Sequence, residues 1–230
     1  MKYFIYWQGS KPVYISKCIE RMQTILQNNL TILNEKNILN YIPNLPQHFF
    51  KIKRIALRVD YLRIAILYHQ GGCYLDADTI IFNDFPQIMD DLPQGEIIGV
   101  GKNNIITSNA FLIAPSPKSN SLLIIKQKQE EIIKNKKGNL HWTDIGGNLI
   151  KNLSNQINSA TFHKTPLTFL GWKNSHIFLS TNQELILKYL SQIIKNNHKG
   201  VVLYNQIMKN QIQNDYPPKS LLWYLINRQN

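Results

Sequence analysis

The chain has 230 residues, with 26 Lys and Arg against 14 Asp and Glu, which gives a formal charge of +12. This length, with 43% apolar residues, suits one domain with a real core and excludes a disordered chain. No apolar run approaches the roughly 20 residues that cross a bilayer. Two cysteines make no disulfide scaffold, and we expect no signal peptide.

Acidic residues are scarce, so their positions are more informative than the basic excess. The charge of +12 suits nucleic acid, an anionic membrane surface or a phosphorylated substrate, but it also favours solubility. Of the 14 Asp and Glu, four fall within one short stretch: Asp60, Asp76, Asp78 and Asp84. That stretch is therefore the first candidate for a functional site.

The N-terminal half predicts strands that alternate with helices. Helical spacing of apolar residues predicts two helices, the first with Pro12 in its opening turn and Ser10 as its cap. The pair Gly71-Gly72 ends the second helix. The predicted elements are a strand at 2–7, a helix at 13–27, a strand at 30–33, a loop at 40–46, a helix at 52–69, a strand at 73–75 and extended chain at 79–82.

The C-terminal half continues the same alternation and ends in an aromatic tail. Its predicted elements are strands at 96–102 and 105–114, helices at 118–136 and 143–153, mixed strand and loop at 161–178, a helix at 182–197, a strand at 201–204 and the tail at 217–230. The alternation predicts an α/β fold, in which a mixed, mainly parallel sheet is flanked by helices in a single domain over residues 1–230. In such sheets, ligands bind beyond the carboxyl ends of the strands.

Asp76 and Asp78 stand at one such strand end. Two carboxylates at positions i and i+2 of extended chain point to the same face, so both can converge on one ion. Carboxylates together with phosphate oxygens suit Mg²⁺ or Mn²⁺. An Asp-x-Asp tripeptide also occurs often in solvated turns, but the buried strand CYL and the preceding long helix favour the functional interpretation.

Asp60 and Arg63 add to this pattern because they share one helix face at i and i+3. A simple helix ion pair is one interpretation, and such a pair contributes little to stability. The other places both residues beside the strand end. There Arg63 would hold phosphate bidentately and Asp60 would accept hydrogen bonds from ribose or sugar hydroxyls.

Three segments together resemble a known group of enzymes. The stretch ALRVDYLRIAILYHQGGCYLDADT at residues 56–79 resembles the core motif of the DXD-containing sugar transferases, namely glycosyltransferase family 32, the related capsular polysaccharide synthesis proteins and the glucosyltransferase domains of large clostridial toxins. YWQGSKP at residues 6–12 is similar to the opening strand of these families, and SNAFLIAPSP at residues 108–117 is similar to a downstream strand. The resemblance covers about the first half of the chain.

The resemblance implies a GT-A fold, a nucleotide-sugar donor and a divalent cation, Mn²⁺ or Mg²⁺. Such transferases generally retain the anomeric configuration, and the leaving diphosphate assists the acceptor. Asp78 would ligate the metal, and Asp76, Asp78 and Arg63 would be the catalytic residues. The donor would be bound by Trp7, Gln8, Asp60, Arg63, Asp76 and Asn109.

The sequence departs from the family pattern in several places. Val59 stands where a Ser usually precedes the helix Asp, and Gly146-Gly147 replaces a common Gly-Pro. Nearby, Asp144 is a candidate to contact the acceptor or the sugar, although a helix N-cap is the favoured role. For the last metal ligand the candidates are Asn205, which is preferred, and His198. Trp172 would either close the site over the donor or pack in the core.

Two other functions remain as alternatives. The segment CYLDADTIIF is similar to the strand-end Asp-x-Asp of haloacid-dehalogenase-type phosphatases, but the acidic pair Asp90-Asp91 follows too soon for their later elements. A non-enzymatic basic module that binds nucleic acid or membrane would use the basic helix at 118–136 and the basic C-terminal region. No recognised nucleic-acid motif accompanies these bases.

The favoured hypothesis is a hexosyltransferase of surface polysaccharide, capsule or lipopolysaccharide synthesis, with UDP-glucose or UDP-galactose as donor. Its acceptor would be a saccharide or a lipid-linked saccharide, and nucleic acid is not an expected partner. We expect a cytoplasmic protein, with peripheral contact to the inner face of the membrane. The tail at 217–230 would be either that membrane contact or a helix that packs on the core.

Overall fold

The computed structural model describes residues 1–136, 140–141, 144–169, 172–212 and 215–227, without the side chains of His48, Phe169, Trp172, Lys173, Asn174 and Gln206. Its strands are β1 (Tyr3–Tyr6), β2 (Leu30–Leu33), β3 (Gly72–Leu75), β4 (Thr79–Ile81), β5 (Ile97–Lys102), β6 (Ile105–Ala114), β7 (Ser159–Thr161), β8 (Leu167–Phe169) and β9 (Gly200–Val202).

The helices alternate with these strands, as the sequence predicts. They are α1 (Val13–Leu26), α2 (Ile38–Tyr41), α3 (Ile55–Gln70), α4 (Asn120–Asn135), α5 (Gly147–Asn152), α6 (Gln183–Lys195), α7 (Asn205–Gln211) and α8 (Leu221–Asn227). No helix among the described residues is long and apolar enough to cross a membrane.

The chain divides into two compact units, which are described one at a time. The first unit comprises Met1–Gln8, Thr31–Leu75 and Leu92–His163, and the second comprises Gly9–Leu30, Asp76–Asp91 and Lys164–Asn230. The predicted single domain stays a prediction.

The first unit is built on a mixed sheet. Among the described residues, this sheet has the strand order β2-β1-β3-β6-β5-β7. β1 pairs with β3 and β5 pairs with β7 in parallel, whereas β6 runs antiparallel to both of its neighbours. Helix α3 packs against β3, β6 and α4, and α5 packs against β6. The α/β prediction is confirmed, with β6 as the strand that makes the sheet mixed.

The core of the first unit explains why α3 forms. Nearly all of its middle residues are buried, so the helix is apolar around most of its circumference and packs on more than one side. Phe4 and Tyr74 from the sheet and Leu62 and Ile66 from the helix belong to the same buried cluster. The unit therefore positions α3 rigidly against β3.

The second unit has its own smaller sheet. Among the described residues its strand order is β4-β9-β8, with β9 antiparallel to β4 and parallel to β8. Helix α1 packs against β4 and α8. Arg21 of α1 fixes this packing, because its Nε donates to the carbonyl of Ile81 at 2.6 Å and its Nη1 donates to the carbonyl of Ile226 at 3.2 Å. Leu221, Leu222 and Leu225 are buried, so α8 packs within the unit.

Several details differ from the predicted elements. Helix α1 is capped by Pro12 and has no side-chain cap, so the predicted Ser10 cap is wrong. The predicted loop at 40–46 overlaps α2 at its start. In the predicted helix at 143–153, α5 begins only at Gly147, with Gly146 at its N-cap, and Thr143 lies outside the described residues. The extended chain after Asp78 joins the second sheet as β4, because its partner is the distant strand β9.

Candidate active site

The turn between α3 and β3 determines where the Asp-x-Asp segment begins. Gly71 ends α3 with φ +64°, and Gly72 follows with φ +92°. A Cβ on Gly72 would lie 2.5 Å from the carbonyl oxygen of Lys2, so only glycine fits beside β1. This close approach lets β3 enter the sheet at once and end at Leu75. Asp76 is the next residue along the chain.

In the first unit, α3 and β6 bring together three of the predicted residues. The Nδ2 of Asn109 donates to Asp60 Oδ1 at 2.8 Å, and Arg63 Nη2 lies 3.5 Å from the same oxygen. Arg63 also donates to the backbone carbonyls of Asn109 and Val59, and its guanidinium lies 5.3 Å from the ring centre of Tyr74. We call Asp60, Arg63 and Asn109 the Asp60 cluster.

A bulge in β6 carries Asn109. Leu112 is opposite Gly99 on β5, but Ser108 is opposite the next residue, Val100, so residues 109–111 bulge out of the register with β5. Bulges of this kind change the direction of side chains and are frequent beside active sites. This one places Asn109 against Asp60.

Burial controls the electrostatics of the Asp60 cluster. Arg63 is only 5% exposed. Burial raises the pKa of the Asp60 carboxyl, while the charge of Arg63 and the hydrogen bond from Asn109 oppose that rise. The ion pair is therefore desolvated, and either partner left alone would be costly.

Gln129 of α4, which is not one of the predicted site residues, links the Asp60 cluster to the loop before α5. Its Nε2 donates to the carbonyls of Asp60 at 2.9 Å and of Ile145 at 2.7 Å. The loop then passes so close to Asp60 that a Cβ on Gly146 would lie 2.8 Å from Asp60 Oδ2. Gln129 lies one helical turn from both Ile125 and Ile133, and that apolar face was the signal for its burial.

In the second unit, Asp78 lies against Asn205. Asp78 is 9% exposed, and its Oδ2 accepts the backbone N–H of Asn205 at the start of α7. The hydroxyl of Tyr14 donates to the side-chain oxygen of Asn205. The ladder between β4 and β9 sets this arrangement, since the N–H of Leu203 donates to the carbonyl of Asp78 at 3.0 Å. We call Asp78, Asn205 and Tyr14 the Asp78 cluster.

The charge of Asp78 affects the aromatic residues around it. Burial, and after it the carboxylate of Asp78, raises the pKa of both Tyr14 and Tyr204. Both phenols therefore stay protonated at neutral pH. Tyr204 has a left-handed backbone with φ 59°, and this conformation turns the chain from β9 into α7.

The Asp78 cluster fits a divalent cation of the Mg²⁺ or Mn²⁺ type. Its side chains offer carboxylate and amide oxygens, which are hard ligands, and a carboxylate has about four acceptor sites. No group of three or more His, Cys, Asp or Glu side chains among the described residues is arranged to hold a metal. A cation that is held by one or two carboxylates and by phosphate oxygens of its substrate matches this small ligand set.

The remaining predicted residues take the following places. The N–H of Trp7 donates to the carbonyl of Leu33 at 3.0 Å, and Gln8 accepts a 3.1 Å hydrogen bond from the hydroxyl of Tyr6. Asp76 is half-buried, and its carbonyl accepts the N–H of Thr79. The side chain of Trp172 lies outside the described part of the chain.

The predicted N-cap role of Asp144 is wrong, and His198 lies beside a backbone carbonyl. The carboxylate of Asp144 accepts hydrogen bonds from the N–H of His141 at 2.6 Å and from Lys136 at 2.7 Å, so it is not the cap of α5. His198 precedes β9 and faces Thr165, with its Nδ1 3.1 Å from that carbonyl oxygen. Asn205 is thus the candidate that lies beside Asp78.

Known proteins are similar to this chain in sequence and in fold. Residues 6–97 match a family model described as a glycosyltransferase sugar-binding region containing a DXD motif. No curated protein matches the chain significantly. The matched residues include Trp7, Asp60, Arg63, Asp76 and Asp78.

Among solved structures, the apo-form glycosyltransferase GlyE of Streptococcus pneumoniae TIGR4 has a TM-score of 0.54 at 15% identity. The similarity covers 99% of this chain, which spans 60% of the length of GlyE. PaToxG glycosyltransferase has a TM-score of 0.46 at 15% identity over 99% of this chain and 83% of its own. Galactosyltransferase LgtC, solved with donor and acceptor sugar analogues, has a TM-score of 0.48 at 10% identity. That similarity covers 89% of this chain and 87% of LgtC.

These findings confirm the resemblance to the DXD-containing sugar transferases and the GT-A type of fold, for which the likeness to GlyE is the structural evidence. The matched region is described for glycosyltransferases, which favours the resemblance to sugar transferases over the resemblance to phosphatases. Residues 6–97 are thus similar to the DXD-containing sugar-binding region of glycosyltransferases.

Proposed function

We propose that this chain is a metal-dependent glycosyltransferase that moves a hexose from a nucleotide sugar to a saccharide acceptor. The observation that carries the proposal is the Asp78 cluster, in which the second Asp of the matched DXD motif lies buried against Asn205. A buried carboxylate beside an amide oxygen is suited to a hard cation that also binds a diphosphate. Mn²⁺ or Mg²⁺ is the expected ion.

Departure of the diphosphate is the step that needs electrostatic stabilisation. A bound divalent cation would supply it as a Lewis acid that neutralises the developing charge. Asp78 would hold that cation with Asn205, and the hydrogen bond from Tyr14 would orient the Asn205 amide. Asp76 would contact the ribose or the sugar.

The Asp60 cluster would bind the donor. Asp60 would accept hydrogen bonds from sugar or ribose hydroxyls, and Asn109 would line the sugar site, while Trp7 and Gln8 would contact the base. Three contacts of Arg63 go to Asp60, Asn109 and Val59, and these support a positioning role for its guanidinium. Direct contact between Arg63 and phosphate, and with it a catalytic role, stays a prediction.

UDP-glucose and UDP-galactose are the proposed donors, and retention of configuration is the proposed outcome. The proposed acceptor is a saccharide, free or lipid-linked, in the synthesis of surface polysaccharide, capsule or lipopolysaccharide. The family resemblance supports each of these details.

Contact with the inner face of an anionic membrane in the cytoplasm is a further part of the proposal. On α6, Leu187 is 65% exposed and Ile194 is 63% exposed, and Lys188 and Lys195 adjoin them in sequence. Apolar side chains beside lysines favour an anionic lipid surface. We expect the protein to sediment with vesicles that contain anionic lipid. Sedimentation equal to that with neutral vesicles would contradict the membrane contact.

A screen of nucleotide sugars by thermal shift, with and without Mn²⁺, tests the proposed function. We expect a UDP-hexose to raise the Tm only when Mn²⁺ is present, and the same sugar to be hydrolysed or transferred. The same screen is applied to Asp78→Asn. Asp91→Asn, which removes an exposed carboxylate, is its control. Nucleotide sugars that have no effect on the Tm, together with absent hydrolysis, would contradict the proposal.

A further inference from the structure

A cavity of about 340 Å³ lies in the second unit, away from the Asp78 cluster. Polar side chains line one part of it, including Asp84, Gln87, Asn197 and His198, and the apolar side chains of Phe82 and Ile193 line another. A concave site with a few placed polar groups and an apolar wall is the usual form of a small-molecule site.

Hydrogen bonds hold the polar lining in place before any ligand arrives. Lys199 donates to Asp84 at 2.6 Å and to Asn197 at 2.8 Å, so it joins two sides of the cavity. His198 is held by the carbonyl of Thr165 at 3.1 Å, and Phe82 pairs with Lys199 through a backbone hydrogen bond of 2.8 Å. A lining that is already ordered loses little conformational entropy on binding.

The charged side chains that border the cavity, Asp84, Lys199 and Arg21, already bind protein groups, so the lining suits a neutral ligand. Lys199 is paired with the carboxylate of Asp84. The guanidinium of Arg21 binds two backbone carbonyls. Burial lowers the pKa of His198, which keeps the ring neutral at pH 7. A carboxylate, two amides and a neutral imidazole together offer both donors and acceptors, which is what a ligand rich in hydroxyls requires.

The β4–β9 ladder sets the position of this cavity relative to Asp78. Asp78 and Leu203 are joined at one end of the ladder, and Phe82 and Lys199 are joined at the other end. At about 3.3 Å per residue, the four steps from Asp78 to Phe82 span roughly 13 Å. A ligand that reaches both ends would therefore be longer than a single sugar ring.

We infer that this cavity binds a neutral hexose unit of the saccharide acceptor, distant from the bond that is formed. The inference rests on the proposed function for the identity of the ligand. The amides and Asp84 would bind hydroxyl groups, and Phe82 and Ile193 would contact the apolar face of the ring. The cavity would then select extended acceptors over monosaccharides.

The test measures binding of lactose, maltose and cellobiose to the full chain by saturation-transfer NMR and calorimetry. The double variant Gln87→Ala/Asn197→Gly removes both amides, and glycine tolerates the left-handed φ of 54° at position 197. We expect a disaccharide to bind the wild type and to bind the double variant at least tenfold more weakly. Gln87→Ala alone, at an exposed position, should weaken binding as well and gives a second test if the double variant does not fold.

Two controls separate this inference from the proposed function. Gln192→Ala removes an exposed amide of α6 outside the cavity and should leave disaccharide binding unchanged. Asp78→Asn should lose binding of UDP with Mn²⁺ but keep the disaccharide. Equal affinity of the double variant and the wild type for the disaccharide would overturn the inference, and so would loss of disaccharide binding in Asp78→Asn. The inference would also be overturned if no disaccharide bound at all, or if inorganic phosphate bound in its place.

Discussion

The Asp60 cluster and the Asp78 cluster hold their carboxylates in different ways. In the Asp60 cluster, side chains from a helix and a strand meet: Asp60 is bound by Asn109 and lies beside the buried Arg63. In the Asp78 cluster, a backbone N–H binds the carboxylate, and the hydroxyl of Tyr14 holds the neighbouring amide. One carboxylate thus lies beside a buried cation, whereas the other accepts a hydrogen bond from the backbone.

This difference predicts different results of mutation. Removal of Arg63 leaves a desolvated carboxylate without its cation, so substitutions in the Asp60 cluster should reduce the stability of the fold. Asp78 can be replaced by an amide whose oxygen accepts the same backbone N–H, so substitution there should affect chemistry and leave stability nearly unchanged.

Asp78→Asn should have the largest effect on activity. The variant keeps an acceptor for the N–H of Asn205 but loses the negative charge that a divalent cation needs. We expect transfer of the sugar to fall by about 10²–10³-fold, the usual effect of losing one electrostatic contributor. The Tm should stay within about 2 °C. A variant that transfers sugar at the wild-type rate, or one that unfolds, would break the comparison.

Arg63→Ala should have the largest effect on stability. Arg63 is 5% exposed, and its removal leaves the Asp60 carboxylate without its cation and takes one donor from the carbonyl of Asn109. Loss of one partner of a buried ion pair costs about 3–5 kcal/mol, which is about 6–20 °C in Tm for a chain of this size. Calorimetry measures the loss. Arg58→Ala, which removes a pair with the half-exposed Glu35 and two hydrogen bonds to the carbonyls of Ile52 and Phe50, is the control and should cost less, because it leaves no buried charge unpaired.

Gly146→Ala should have an intermediate effect, because the new Cβ would lie 2.8 Å from Asp60 Oδ2. Overpacking of this kind costs about 1–3 kcal/mol in the free energy of unfolding. Gly147→Ala is a matched control, since the nearest atom to its new Cβ would be the carbonyl oxygen of Thr107, at an ordinary van der Waals distance of 3.4 Å. Denaturant unfolding of both variants measures the difference. Equal stability of the two would mean that the loop before α5 does not press on Asp60.

The smallest expected effect is the change in the free energy of unfolding when the pH falls. One histidine in each unit, His69 and His198, contributes to it. Burial lowers the pKa of His69 in the first unit, with Lys126 and Lys118 nearby, and burial lowers the pKa of His198 in the second. The neutral forms are favoured in the folded state. The stability they contribute is therefore complete above the unfolded pKa of about 6.5 and is lost as the pH falls through the folded values.

The substitutions His69→Gln and His198→Gln should each make the free energy of unfolding less dependent on pH below about 6.5. Denaturant unfolding between pH 7.5 and pH 5 measures this dependence. Unchanged pH dependence in both variants would show that neither ring is held neutral.

Local patterns predicted several elements of each unit. The strand at 105–114 matches β6 in its bounds, and the helix predicted at 13–27 is α1 within one residue. The Gly71-Gly72 turn was predictable because a helix end and a close approach to β1 both require glycine. Asp60 and Arg63 were predictable as neighbours because their spacing puts them on one helix face.

Non-local pairing explains what the sequence did not show. The strand β4 joins β9, which is more than a hundred residues away along the chain, so the extended segment after Asp78 gave no sign of a second sheet. The apolar helix face around Gln129 indicates burial, but its partner, the carbonyl of Ile145, belongs to a loop that no local pattern connects to it. The bulge that turns Asn109 toward Asp60 depends on the pairing with β5, which no local pattern encodes.

Binding of Mn²⁺ in the presence of UDP tests the central claim most directly, through the electron paramagnetic resonance signal of free Mn²⁺. The wild type and the Asp91→Asn control should bind one Mn²⁺ when UDP is present, and Asp78→Asn should leave the Mn²⁺ free at the same concentrations. Equal binding of Mn²⁺ and UDP by Asp78→Asn and the wild type would contradict the account.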